Sequence, residues 1–297
     1  MAKKKPGGKV SRKAKAEAAA SGGAARVSGY VHLSALDERY LAIIRRALRV
    51  CLNYRPAFGH GRGEGVSLER FQQLYGEDEF YSWFGLDSPL VYAAHKAAGG
   101  MTSVYRQIGM GCQLVFQQIL QDTLGLSAAE ATWSYTVKAK GSKARTLALD
   151  GRIPLEQIGS DRARERARTW LAEATGCIGL KDASAKGLAG CVLELRQGYK
   201  SNDAKRQNAD VANAAAAFAH RYLPVMALLS VQIPDRLAER YQRAHWLILR
   251  GTVSGRATDS TYVFCRDVLG YDLAAFFRRN SAAIKAETHT VFMGLLQ

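Results

Sequence analysis

No run of apolar residues in this sequence is long enough to cross a bilayer, which argues against a helical membrane protein. Cysteine is sparse. The five residues are an odd number, and none stand in CxxC spacing. That excludes a zinc ribbon or a disulfide frame and predicts reduced thiols in a cytoplasmic protein. There is no internal repeat. The glycine-rich stretch Phe58 to Gly65 has neither the GxGxxG nor the P-loop spacing, so it reads as a loop near DNA rather than a nucleotide cradle. His60 within it has no second His or Cys at metal-ligand spacing.

Acidic residues are also in deficit. Asp and Glu total 26 against 42 Lys and Arg, a net charge of +16. Such an excess attracts polyanions by counterion release, and nucleic acid is the expected partner. An acidic membrane surface is the weaker alternative, because no basic amphipathic helix with an aromatic face stands out. Residues 1–27 form a basic tail. Lys3, Lys4, Lys5, Lys9, Arg12, Lys13 and Lys15 are opposed only by Glu17, and so little apolar surface predicts disorder. No apolar core follows the charges, which argues against a secretory signal.

With 297 residues, 47% of them hydrophobic, the chain can bury one large core. Helices are expected over Ser34–Leu52, Ser67–Tyr75, Glu77–Phe84 and Pro89–Ala97, making residues 28–98 a helical N-terminal region. Gly99-Gly100 reads as a break. A helix from Thr102 or Ser103 to Leu124 then opens a core region, 99–297. Strands are expected at Thr132–Val137 and Thr146–Ile153, with Pro154 ending the second. A charged helix spans Ser160–Ala174.

The densest polar segment after the tail is Gly190 to Asp210. It starts as the apolar strand Gly190–Arg196, and alternation puts Leu193 and Leu195 on one face and Val192, Glu194 and Arg196 on the other. A carboxylate and a cation on a buried strand are costly unless they are paired or used. A helix from about Asp203 to Tyr222 and a buried strand, Leu223–Val231, come next. The last part carries helices at Leu237–Ala244, Ser260–Leu269 and Leu273–Phe277 and a strand at Trp246–Leu249. Strands alternating with helices predict an α/β fold with a central mixed β-sheet flanked by helices.

Asp150 and Glu194 could meet at one sheet edge. Two carboxylates with water suit Mg²⁺, and bound Mg²⁺ serves phosphodiester hydrolysis. Arg196 or Lys200 beside them could hold the phosphate. The helix start carries Asn202, Lys205, Arg206, Gln207 and Asn208. A helix N-terminus favours phosphate, and these side-chain types include those that read base edges.

This order of elements, with Glu194-Leu195-Arg196 through Asp210, resembles the PD-(D/E)XK nuclease superfamily, and within it the type II restriction endonucleases. The similarity covers about Met101 to Val231. It implies a Mg²⁺-dependent site-specific deoxyribonuclease acting on double-stranded DNA as a homodimer, with Asp150 and Glu194 as metal ligands and Arg196 in the place of the motif lysine. Asp182 is the competing first carboxylate, and Lys200 the competing amine. The alternatives are a non-catalytic basic nucleic-acid-binding protein and an assembly protein with a basic tail.

Overall fold

The computed structural model describes residues 35–58, 65–137, 145–180, 187–199 and 204–296. The basic tail, the loop with His60, and Asp182, Lys200 and Asn202 lie outside the described residues. The chain divides into two compact units, Met1–Ala42 and Ile43–Gln297. Residues 35–42 of the first are helical, and the second opens with helix 43–49 (α1) and a 3-10 turn, Val50–Asn53.

Two short helices follow, α2 (Leu68–Gly76, capped by the Ser67 side chain) and α3 (Glu79–Trp83). Their aromatics split between two fates. Phe71 is fully buried against Phe58, Tyr75 and Tyr92, whereas Phe80, Trp83 and Phe84 are exposed. Helix α4 then runs without interruption from Pro89 to Leu124 and ends on Gly125 in the left-handed conformation. The break expected at Gly99-Gly100 does not occur within α4. Gly100 serves close approach instead. A methyl group on it would lie 2.7 Å from Leu295 Cδ2. Gly111 acts in the same way, since a methyl group on it would lie 3.1 Å from Ala47 Cβ.

The sheet has four strands in the order β3 (Gly151–Pro154), β4 (Gly190–Arg196), β5 (Tyr222–Leu228) and β6 (Leu247–Leu249). β3 runs antiparallel to β4, and β4, β5 and β6 are mutually parallel neighbours. The fold is therefore mixed α/β, as expected in outline. β1 (Trp133–Val137) and β2 (Arg145–Leu149) form a separate two-stranded antiparallel sheet. The single strand expected over Thr146–Ile153 is thus two strands with a bend at Asp150. The amide of Gln117 on α4 donates to the Asp150 carbonyl at 2.6 Å and satisfies the backbone where the ladder breaks.

Helices cover both faces. On one face Leu193 meets α4, where Phe116 and Leu120 close over Gly151. On the other, Val192, Met226 and Leu228 pack with Ala214 and Ala217 of α6 (Ala204–Ala219), and with Trp133, Leu149 and Trp246. Burying each large aliphatic side chain contributes about 1.5–3 kcal/mol. The small alanines let α6 lie close to the sheet. α6 ends three residues before Tyr222, which starts β5 rather than closing the helix. Arg221 in the turn between them takes a positive φ of 63°.

Helices α5 (Asp161–Cys177, capped by Ser160) and α7 (Asp235–Arg243) fall where the charge and apolar patterns place them. The expected helix Ser260–Leu269 is a short α8 (Thr261–Phe264) running into a π turn, Cys265–Leu269. α9 (Leu273–Leu296) is much longer than the stretch to Phe277 that the sequence marked.

Candidate functional site

β4 is the centre of the site because its alternation is as expected. Glu194 and Arg196 project to the α6 side of the sheet, with Leu193 on the α4 side. The β3–β4 register pairs Gly151 with Leu193 and Arg152 with Val192. Asp150 lies just before that register, at the bend between β2 and β3. The Asp150 carboxylate also accepts the Leu195 N–H at 2.8 Å, so the bend between β2 and β3 is pinned to the motif strand. Gly190, where β4 begins, has φ 152°, and a Cβ there would collide with the Ile153 carbonyl.

The two carboxylates share a poorly solvated space. Burial pushes Glu194 up to about 8, the nearby Asp150 adds to this, and Arg196 works against it. Burial also raises Asp150, opposed by the Leu195 N–H and by the Arg196 and Arg206 cations.

Arg196 does not point to solvent as an unengaged phosphate ligand would. Its Nη2 lies 2.8 Å from Glu194 Oε1 and 2.8 Å from Asp210 Oδ1. Its Nε is buried with no partner among the described residues, and its guanidinium sits 5.4 Å from the centre of the Tyr199 ring. Asp210, on α6, is only 4% exposed at its side chain. Its other oxygen accepts from the Tyr241 hydroxyl at 2.6 Å, and its carbonyl accepts from Trp246 Nε1 at 3.1 Å. Burial lifts the Tyr199 and Tyr241 phenols well above their usual range, and for Tyr241 donation to Asp210 adds to the shift. Both remain neutral donors.

Lys205 and Arg206 are exposed in the first turn of α6. Gln207 and Asn208 are tied to α7. Arg240 donates to Gln207 Oε1 at 2.8 Å and to Asn208 Oδ1 at 2.5 Å. Their side-chain oxygens are therefore engaged within the protein. A groove of about 570 Å³ opens beside Asp150, lined by Gln113 and Gln117 of α4, Thr132, Ser134 and Arg152. A larger groove, about 650 Å³, lies between α5 and the π turn and is lined by none of the candidate residues.

Asp210 and Tyr241 were not singled out from the sequence. Asp210 had a detectable signal, since Asp210, Ala214 and Ala217 are the buried positions of α6 at i, i+4 and i+7. A carboxylate on that stripe needs a cation opposite it. Tyr241 had no such signal, because a tyrosine on the apolar face of a helix is ordinary core.

Among the described residues, no three His, Cys, Asp or Glu side chains converge on a common point as a metal cage. The donor set that is present nonetheless fits Mg²⁺, which keeps several waters and takes one or two carboxylates. Both carboxylates lie above their usual range, burial being the first cause for each. Comparison with protein-family models, curated proteins and solved structures finds no match to this chain. Among the described residues no helix is long and apolar enough to cross a membrane.

Proposed function

We propose that this protein is a Mg²⁺-dependent, sequence-specific endonuclease of the PD-(D/E)XK kind, hydrolysing phosphodiesters of double-stranded DNA in the cytoplasm. The observation that carries this reading is the Asp150 carboxylate held by the Leu195 N–H next to Glu194, both carboxylates raised by burial. Supporting it are the helix and parallel strand that follow β4 and the net charge of +16.

Asp150 and Glu194 would hold the metal, which supplies an activated water and a counter-charge for the phosphate. Arg196 fixes the Glu194 carboxylate from one side. Arginine stays protonated, so Arg196 cannot serve as a base. Lys200 is then the candidate amine for the attacking water. Lys205 and Arg206 give the α6 N-terminus its positive charge, where a DNA phosphate is favoured. A homodimer on a palindromic site is the arrangement that the family resemblance implies.

The test is incubation of the full chain with phage or plasmid DNA and Mg²⁺. Discrete fragments that disappear with EDTA and with Glu194→Ala are expected. Intact DNA across several substrates and divalent metals refutes the reading.

A second reading, a non-catalytic nucleic-acid-binding protein, is favoured by the engagement of Arg196 with both Glu194 and Asp210. Buried charges on the strand then have a structural use of their own. It predicts DNA binding with steep salt dependence that is indifferent to Glu194→Ala.

A further inference from the structure

We propose that Asp210 is a positioning residue that favours a divalent cation at Glu194. It does so by sharing the Arg196 guanidinium. This inference rests on the reading of Asp150 and Glu194 as metal ligands.

A single nitrogen, Arg196 Nη2, stands 2.8 Å from an oxygen of each carboxylate. One positive charge is therefore divided between two acids. The geometry is held from the Asp210 side. Tyr241 donates to Oδ2 at 2.6 Å and Trp246 Nε1 to the backbone carbonyl at 3.1 Å, so both the side chain and its stretch of helix are tethered on that side. With a cation bound, Asp150, Glu194 and Asp210 count three negative charges. Arg196 acts on all three sites' surroundings, and Arg206 acts on Asp150 and Glu194. With all five ionised, the cluster is one charge negative. Neutralising Asp210 brings it to zero and leaves Arg196 to Glu194 alone. Ligand charge is a principal determinant of hard-cation affinity, so the cation loses ground although neither of its ligands has changed. The same chain of contacts connects the metal side of β4 to α7, which also holds Gln207 and Asn208 at the start of α6 through Arg240.

The test uses Mn²⁺ as the probe, added to the DNA-free full chain and followed by the paramagnetic resonance of the unbound ion. Thermal unfolding in EDTA is measured alongside. Wild type binds Mn²⁺, and Glu194→Gln loses it. Asp210→Asn, close to isosteric, weakens Mn²⁺ about tenfold, the scale typical of partners that act through a ligand. Tyr241→Phe removes a hydrogen bond but no charge. It leaves Asp210 more able to draw Arg196, so Mn²⁺ affinity stays the same or tightens. Equal weakening in Asp210→Asn and Tyr241→Phe would mean that the network is only a scaffold, and overturns the proposal. So does wild-type affinity in Asp210→Asn when Glu194→Gln has lost binding, and that outcome leaves the metal reading intact. Should Asp210→Asn not fold, weakened Mn²⁺ binding in Tyr241→Phe is by itself sufficient to overturn it. Equal binding, or none, in wild type and Glu194→Gln removes the metal reading and the proposal together.

Discussion

Arg196→Met takes away the cation shared by Glu194 and Asp210 and keeps most of the side-chain volume. At an effective dielectric near 20, each 2.8 Å contact is worth ~6 kcal/mol of gross attraction. Desolvating three charges offsets much of that, and breaking a buried pair costs about 3–5 kcal/mol because the abandoned charge has nowhere to go. Here two carboxylates are abandoned, with side chains 13% and 4% exposed, so a loss of about 3–5 kcal/mol is expected at alkaline pH.

The loss depends on pH with a definite sign. Glu194 is already raised from 4.5 to about 8, and Arg196 is one of the groups holding it down. Without Arg196 it rises further. Between the unfolded and folded values the folded chain holds a proton that the unfolded chain has released, so stability falls as pH rises through that window. The part of the Arg196→Met deficit that comes from Glu194 therefore opens as pH rises above about 8 and is absent toward about pH 5. Urea unfolding followed by tryptophan fluorescence at both ends of the range measures it. A deficit below about 1 kcal/mol at both pH values, the figure for an exposed pair, would refute the account of a buried, shared cation.

Arg196→Lys costs less than Arg196→Met in the same urea assay, because both contacts pass through one nitrogen that an ammonium can imitate; equal losses would count against this. Gly190→Ala destabilises by about 2–4 kcal/mol in denaturant unfolding, since its φ of 152° and the nearby Ile153 carbonyl leave no room for a methyl group. A coloured disulfide reagent at mildly alkaline pH titrates one thiol rapidly and the rest only after denaturation. Cys177 is exposed, Cys51 is buried, burial pushes Cys112 up to about 12, and it raises Cys191 and Cys265 as well. More than one fast thiol contradicts the packing described. Replacing Lys205 and Arg206 by alanine reduces the salt slope of DNA binding by about 1–2 if the α6 start lies against phosphate, and an unchanged slope places DNA elsewhere.

The strands were legible where one face or both are buried. β4 and β5 read as apolar runs because a parallel sheet covered on both faces leaves little room for polar side chains. The side of β4 that bears Glu194 and Arg196 followed from the two-residue alternation alone. Helix ends were legible where a capping side chain stands at the right place, as at Ser67 and Ser160. Gly99-Gly100 misled because glycine marks both a chain break and a close helix contact. Only the neighbour, here Leu295, distinguishes them.

By itself the sequence determined the basic charge, the α/β alternation, and the placing of Glu194 and Arg196 together on one face of a buried strand. These are local or summed properties, fixed by composition and backbone periodicity. The tertiary structure decided that Asp150 sits at a bend with its carboxylate on the Leu195 N–H beside Glu194, because strand pairing is a relation between residues some forty positions apart. It also decided that Arg196 is divided between Glu194 and Asp210, with Tyr241 behind. A buried cation takes whichever carboxylates packing brings within reach, and no spacing along the chain encodes that distance.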